Sequence, residues 1–198
     1  MTRVSVYTSA LAAFVAATVM IVIPIWLPNW VTYSVTSATG EIVERHIGLH
    51  KSCSTLDDPY CRPFPPKDLC QGGERYFCSM WRTVGFLASF ATLLCLGGLV
   101  TFVVIMCGGK YKRETGWPFA AGMLTFISVM EFVAISIVAY LYDHDDQFNI
   151  PGWSLDTSFY LSTTGAVICL LTATGIAFSA YLLPPEEGYD FLSDPLDA

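Results

Sequence analysis

Pro28-Asn29-Trp30-Val31-Thr32-Tyr33-Ser34 opens a polar stretch that continues through Gly48-Leu49-His50-Lys51-Ser52-Cys53 and then spaces Cys61, Cys70 and Cys78. The other three cysteines, Cys95, Cys107 and Cys169, lie in or beside apolar runs. Four cysteines gathered in one polar loop indicate an oxidised segment outside the cytosol. Apolar runs on both sides of it indicate that a membrane holds it.

Only 14% of the 198 residues are charged and the mean hydropathy is +0.52, whereas a soluble domain carries about a quarter of its residues charged. The apolar residues concentrate in four runs, at about 7–27, 84–107, 117–142 and 158–183. At roughly 1.5 Å per residue, about 20 such residues cross a hydrocarbon core of ~30 Å. The expectation is a single membrane domain over 1–198, with the lipid bilayer as its first partner. Run one follows Arg3, but it is long for a signal-peptide core and lacks a small-x-small cleavage site, so it is expected to remain as a helix. Trp26 and Trp30 beside Pro24 and Pro28, and Trp81 with Arg82, are placed as interfacial anchors. A net charge of -7 argues against nucleic acid, whose binders carry a basic stripe.

Loop charges orient the chain. Lys110, Lys112 and Arg113 fall in the short loop 108–116, whereas loop 143–157 has no Lys or Arg and carries Asp143, Asp145, Asp146 and Asp156. The positive-inside bias places loop 108–116, both termini and the acidic tail 184–198 in the cytosol. The large loop 28–81 and the second loop 143–157 then face out, at the plasma membrane. Redox logic and charge logic agree on this side. Within the large loop, Trp30 to Thr36 reads as a strand, Ser37-Ala38-Thr39-Gly40 as a turn and Glu41 to Ile47 as a returning strand. Asp57-Asp58-Pro59 and Arg62-Pro63-Phe64-Pro65-Pro66 read as turn or extended segments. So small a sheet is marginal alone and needs the disulfides and the membrane surface.

These residues resemble the superfamily of claudins, peripheral myelin protein, epithelial membrane proteins, calcium-channel gamma subunits and fungal PalI-like proteins. Its signature is a Trp, then Gly-Leu-Trp, then two cysteines. Here Trp30, Gly48-Leu49, Cys53 and Cys61 match it, and Arg82 matches the basic residue near the start of the second helix. His50 stands at the second Trp, and Cys70 and Cys78 are additional, as in a remote member. The implied fold is an all-α membrane protein, a claudin-like bundle of four transmembrane helices with a small disulfide-bonded β-sheet in the large first extracellular loop. Tetraspanins carry their cysteine loop between helices three and four, and connexins carry cysteines in both outer loops; this chain does neither. Four cysteines allow three pairings. The expected set is Cys53–Cys61, the family-like pair, with Cys70–Cys78, each closing a short loop worth about 2–3 kcal/mol. No Cys-x-x-Cys spacing points to zinc instead.

Glu131 is the only acid inside a run. It is a candidate ion or proton site, but without a second membrane acid or base it reads better as a carboxyl bonded to Thr92, Thr163 or Thr172 of a neighbouring helix. Asp143-His144-Asp145-Asp146 lacks the spaced ligands of a calcium loop and reads as a solvated helix end. His46 and His50 read as polar surface rather than a pH sensor. Tyr189-Asp190-Phe191-Leu192 has the form of a Tyr-x-x-apolar sorting signal, and Cys107 beside Lys110 is a candidate palmitoylation site. Gly97-Gly98 and Gly165 permit close helix approach. No Asn-x-Ser/Thr acceptor occurs, so N-glycosylation is not expected.

The chain has no nucleophile elbow, His-Glu-x-x-His or phosphate loop. No enzyme activity, cofactor or metal is expected. The expected function is lateral self-association, or cell-surface or cortical organisation, through the disulfide-bonded loop. Alternatives are an auxiliary or sensor subunit of a channel or signalling complex, docked on another membrane protein, and a small ion pathway or transporter through Glu131.

Overall fold

The computed structural model describes residues 3–36, 40, 42–72 and 75–182, apart from the side chains of Arg3 and Lys110. The sorting-signal residues Tyr189 and Leu192, the acidic tail and most of the first predicted turn lie outside the described residues.

Four long helices, α1 (Arg3–Trp26), α3 (Arg75–Cys107), α5 (Trp117–His144) and α6 (Thr157–Leu182), are apolar and long enough to cross a membrane. They pack as a square in which α1 lies against α6 and α3, and α5 against α6 and α3. Two short helices, α2 (Lys67–Gln71) and α4 (Gly109–Thr115), sit at opposite ends of the bundle. At the α4 end, Tyr7 Oη donates to the Arg113 carbonyl at 2.8 Å.

The helix boundaries follow the apolar runs except at α3, which begins at Arg75 and not near residue 84. Hydropathy marks where hydrocarbon begins, but a helix continues as long as its apolar face finds cover. Here Phe77, Trp81 and Val84, at helical spacing, are buried against the sheet, and Cys78 is buried beside Cys70 of α2. Cys78 and Trp81 therefore stand on a helix rather than in the loop 28–81, and Arg82 lies two turns into that helix rather than at its start. At 33 residues, α3 is about 50 Å long and projects well past a ~30 Å core.

The sheet has five antiparallel strands: β1 (Val31–Thr36), β2 (Ile42–Ile47), β3 (Lys51–Ser54), β4 (Cys61–Pro63) and β5 (Trp153–Leu155), in the order β4-β3-β2-β1-β5. β1 and β2 pair from Val31↔Ile47 to Thr36↔Ile42. Pro63 stands in an edge strand, where its missing N–H does least harm. The fifth strand comes from the segment after α5, with Val31 opposite Leu155. Three residues are too few to show the alternation that betrays a strand in sequence, so the reading of loop 143–157 as plain connection is corrected here. Cys53 is bonded to Cys61, its direct partner across β3 and β4, and Cys70 on α2 is bonded to Cys78 on α3. One apolar core fills the α4 half of the bundle around Phe14, Phe102, Leu124 and Ile127. A second joins the bundle to the sheet around Trp30, Trp81, Phe77, Ile47 and Leu141.

Candidate functional site

The sheet is held by two tryptophans, each bonded to a backbone carbonyl. In α1, the Pro24 carbonyl would bond the amide four residues on, but that residue is Pro28, which has no N–H. The indole Nε1 of Trp30 donates to it instead, at 2.8 Å. Trp30 is wholly buried, not an interfacial anchor, whereas Trp26 is 74% exposed. Trp81 Nε1 donates to the Gly48 carbonyl at 3.2 Å, and its ring stacks on Phe77 and meets Phe64 edge-on, both at 5.5 Å. Gly48 sits where the turn from β2 to β3 crosses the end of α1. A Cβ there would lie 2.6 Å from Pro28 Cα and 2.9 Å from the Leu27 carbonyl. Leu49 is buried beside it, and the His50 ring lies over Gly85 of α3. Trp30, Gly48, Leu49, Cys53 and Cys61 are thus brought to one end of the bundle. Arg82 is exposed on α3 and takes no part in the clamp.

A polar pin adds to this. One Asp156 oxygen accepts from Thr32 Oγ1 and from Asn29 Nδ2 at 3.2 Å. The other accepts from the Thr157 amide at 2.6 Å and its hydroxyl at 2.9 Å. Since the single Thr32 proton goes to Asp156, His46 Nδ1, 3.0 Å from that hydroxyl, must be the donor to it. Burial alone would raise the Asp156 carboxyl, but the donors from Thr32, Thr157 and Asn29 outweigh it and hold the group below the ordinary carboxylate value. A depressed carboxylate stabilises the fold above its unfolded-state pKa, and that contribution is lost as pH falls through the folded value.

The sheet face that carries Val31 and Ile47 against the bundle also carries Tyr33, Arg45 and Trp153, and there it is concave. A groove of about 570 Å³ is lined by Tyr33, Arg45, Asp57, Arg62, Phe64 and Trp153 among others. Tyr33 and Trp153, opposite one another on β1 and β5, have ring centroids 5.0 Å apart. Arg45 Nε donates to Ser52 Oγ at 3.4 Å, and Arg62 Nη2 donates to the Asp58 carbonyl at 3.0 Å with Asp57 at 3.4 Å. Gln147 Oε1, on the wall, is buried without a hydrogen-bond partner among the described residues. Aromatic floor and arginine rim are the composition of protein-binding surfaces. None of these groove residues stands out in the sequence, because Trp153 and Gln147 join Arg45 and Arg62 only through β5.

Glu131 is 1% exposed, at the α5–α6 contact, where Ser162 Oγ donates to its Oε2 at 2.6 Å. The expected threonine partners are corrected: Thr92, Thr163 and Thr172 each donate to the carbonyl four residues back on their own helix. One turn from Glu131, Ser128 Oγ donates across to the Ala166 carbonyl at 2.9 Å. Glu131→Gln preserves shape and an acceptor for Ser162, so its thermal midpoint is expected within a few degrees of wild type. Glu131→Ala, which leaves a void and an unpaired hydroxyl, is expected to cost roughly 2–4 kcal/mol. Thermal unfolding of both variants in mild detergent checks this.

Asp145 accepts from the Gln147 amide at 3.0 Å and starts the short 3-10 turn Asp146–Phe148, while Asp143 and His144 are exposed. Among the described residues no group of three or more His, Cys, Asp or Glu is placed to hold a metal ion. Cys107 is exposed at the end of α3, and Cys95 and Cys169 are buried free thiols. No protein-family model matches the chain, and no curated protein matches it by sequence.

Proposed function

We propose that this chain is a claudin-like four-pass protein of the plasma membrane that works by association rather than chemistry. Its disulfide-bonded sheet faces outward and docks on a second copy alongside it. The observation that supports the reading is the concave sheet face: a groove with an aromatic floor and arginine rim, clamped rigidly to the bundle, with two short strands at its edges. Strand edges add main-chain pairing to such a contact. The test is co-expression of two differently tagged copies, with recovery of one through the other in mild detergent. Self-recovery is expected, and Arg62→Glu at the rim is expected to lower it at least about tenfold. Recovery of a larger, different membrane protein without the second copy would replace this reading with that of an auxiliary subunit. An antibody to residues 30–78 is expected to stain intact cells; staining only after permeabilisation would invert the orientation.

A further inference from the structure

We propose that the flank of α3 nearest the sheet binds a membrane phospholipid, with Arg75 and Arg82 on the headgroup phosphate and Phe86 and Phe90 along an acyl chain. This rests on the membrane spans and not on the association described above. Arg75, Ser79, Arg82, Thr83 and Phe86, together with Cys70 and Cys78, line an open groove of about 480 Å³. The members on α3 fall at i, i+3, i+4, i+7, i+8 and i+11, so they share one face of α3. Phe90 continues that face, its ring parallel to Phe86 with centroids 6.1 Å apart.

Depth decides what the groove meets. Counting back from Cys107, about 20–22 residues fill the hydrocarbon core, which brings its boundary to Phe86. Phe86 and Phe90 then lie at the top of the acyl region, and Phe86 is 66% exposed there. Arg82 and Thr83 stand at headgroup level, and Arg75 is about 10 Å farther out along the axis, within reach of a long side chain bending back. Among the described residues no carboxylate lines the groove. Neither guanidinium has an ion-pair or hydrogen-bond partner among the described residues. In a chain of net charge -7, a groove with two arginines and no acid among its described lining residues is complementary to an anion. A guanidinium takes two phosphate oxygens at once. The aromatic pair below selects the source: a free phosphate would use only the upper half of the groove, whereas a lipid uses its whole length. The Cys70–Cys78 bridge forms the rigid wall.

The test is native mass spectrometry of the full disulfide-bonded chain in mild detergent, titrated with phosphatidylglycerol. Wild type is expected to retain one lipid, Arg82→Gln to bind about fivefold more weakly and the Arg75→Gln/Arg82→Gln pair roughly 30-fold. Diacylglycerol with the same chains is expected not to be retained, and Phe86→Ala to weaken phosphatidylglycerol. Should the glutamine pair fail to fold, Arg75→Lys/Arg82→Lys keeps the charge and is expected to lose severalfold through the missing bidentate geometry. Equal retention by wild type and both double variants, or equal retention of diacylglycerol, overturns the proposal. Full displacement of the lipid by millimolar inorganic phosphate overturns the choice of a lipid as occupant.

Discussion

Trp30→Ala is expected to lower the thermal midpoint of the purified protein by roughly 10–20 °C, the equivalent of about 3–5 kcal/mol. The indole is wholly buried in the core that joins sheet to bundle, so truncation leaves a large void. It also frees the Pro24 carbonyl, which Pro28 cannot serve. Trp30→Phe separates the two effects, because it keeps most of the ring and loses only the donor, at about 1–3 kcal/mol. Thermal unfolding followed by circular dichroism measures both. A Trp30→Phe protein as stable as wild type would show that the carbonyl finds water and that only packing matters.

Gly48→Val is expected to be about as damaging, for the opposite reason. The added atoms meet the Pro28 Cα and the Leu27 and Lys51 carbonyls, the nearest at 2.6 Å. These are backbone atoms, and no rotamer change moves them. Overpacking of this kind costs typically 1–3 kcal/mol and more where nothing yields. Relief requires the turn between β2 and β3 to lift from α1, which carries the Gly48 carbonyl away from Trp81 Nε1. The variant is expected to fold its helices yet open the sheet. Loss of near-ultraviolet aromatic signal at nearly constant far-ultraviolet signal, together with faster reduction of Cys53–Cys61, is the readout. Gly85→Ala is the milder comparison, since its Cβ would meet only the His50 ring at 3.4 Å.

Legibility differed among these residues for physical reasons. Pro24, Pro28 and Trp30 are conspicuous in the sequence, but tryptophan next to an apolar run suggests an interface residue. Only the fold turns the indole inward, to the Pro24 carbonyl that Pro28 leaves unserved. Glu131 is equally conspicuous, and a hydroxyl partner on a neighbouring helix is the natural expectation. The partner proved to be Ser162, which faces α5, while Thr163 one position on is turned from Glu131 and bonds its own helix backbone. The start of α3 was obscured because Arg75, Ser79 and Arg82 dilute its hydropathy, although Phe77, Trp81 and Val84 keep helical spacing beneath them.

The amino-acid sequence alone determined four spans and the hairpin of β1 and β2. Both are local properties: hydropathy sums over about 20 residues, and strand alternation repeats every two. The tertiary structure decided the fifth strand, the Asp156 pin and the groove between Arg62 and Trp153. Each joins segments more than 80 residues apart, and a three-residue strand or a lone aspartate acquires its role only when packing of α5 against α6 returns the chain to β1.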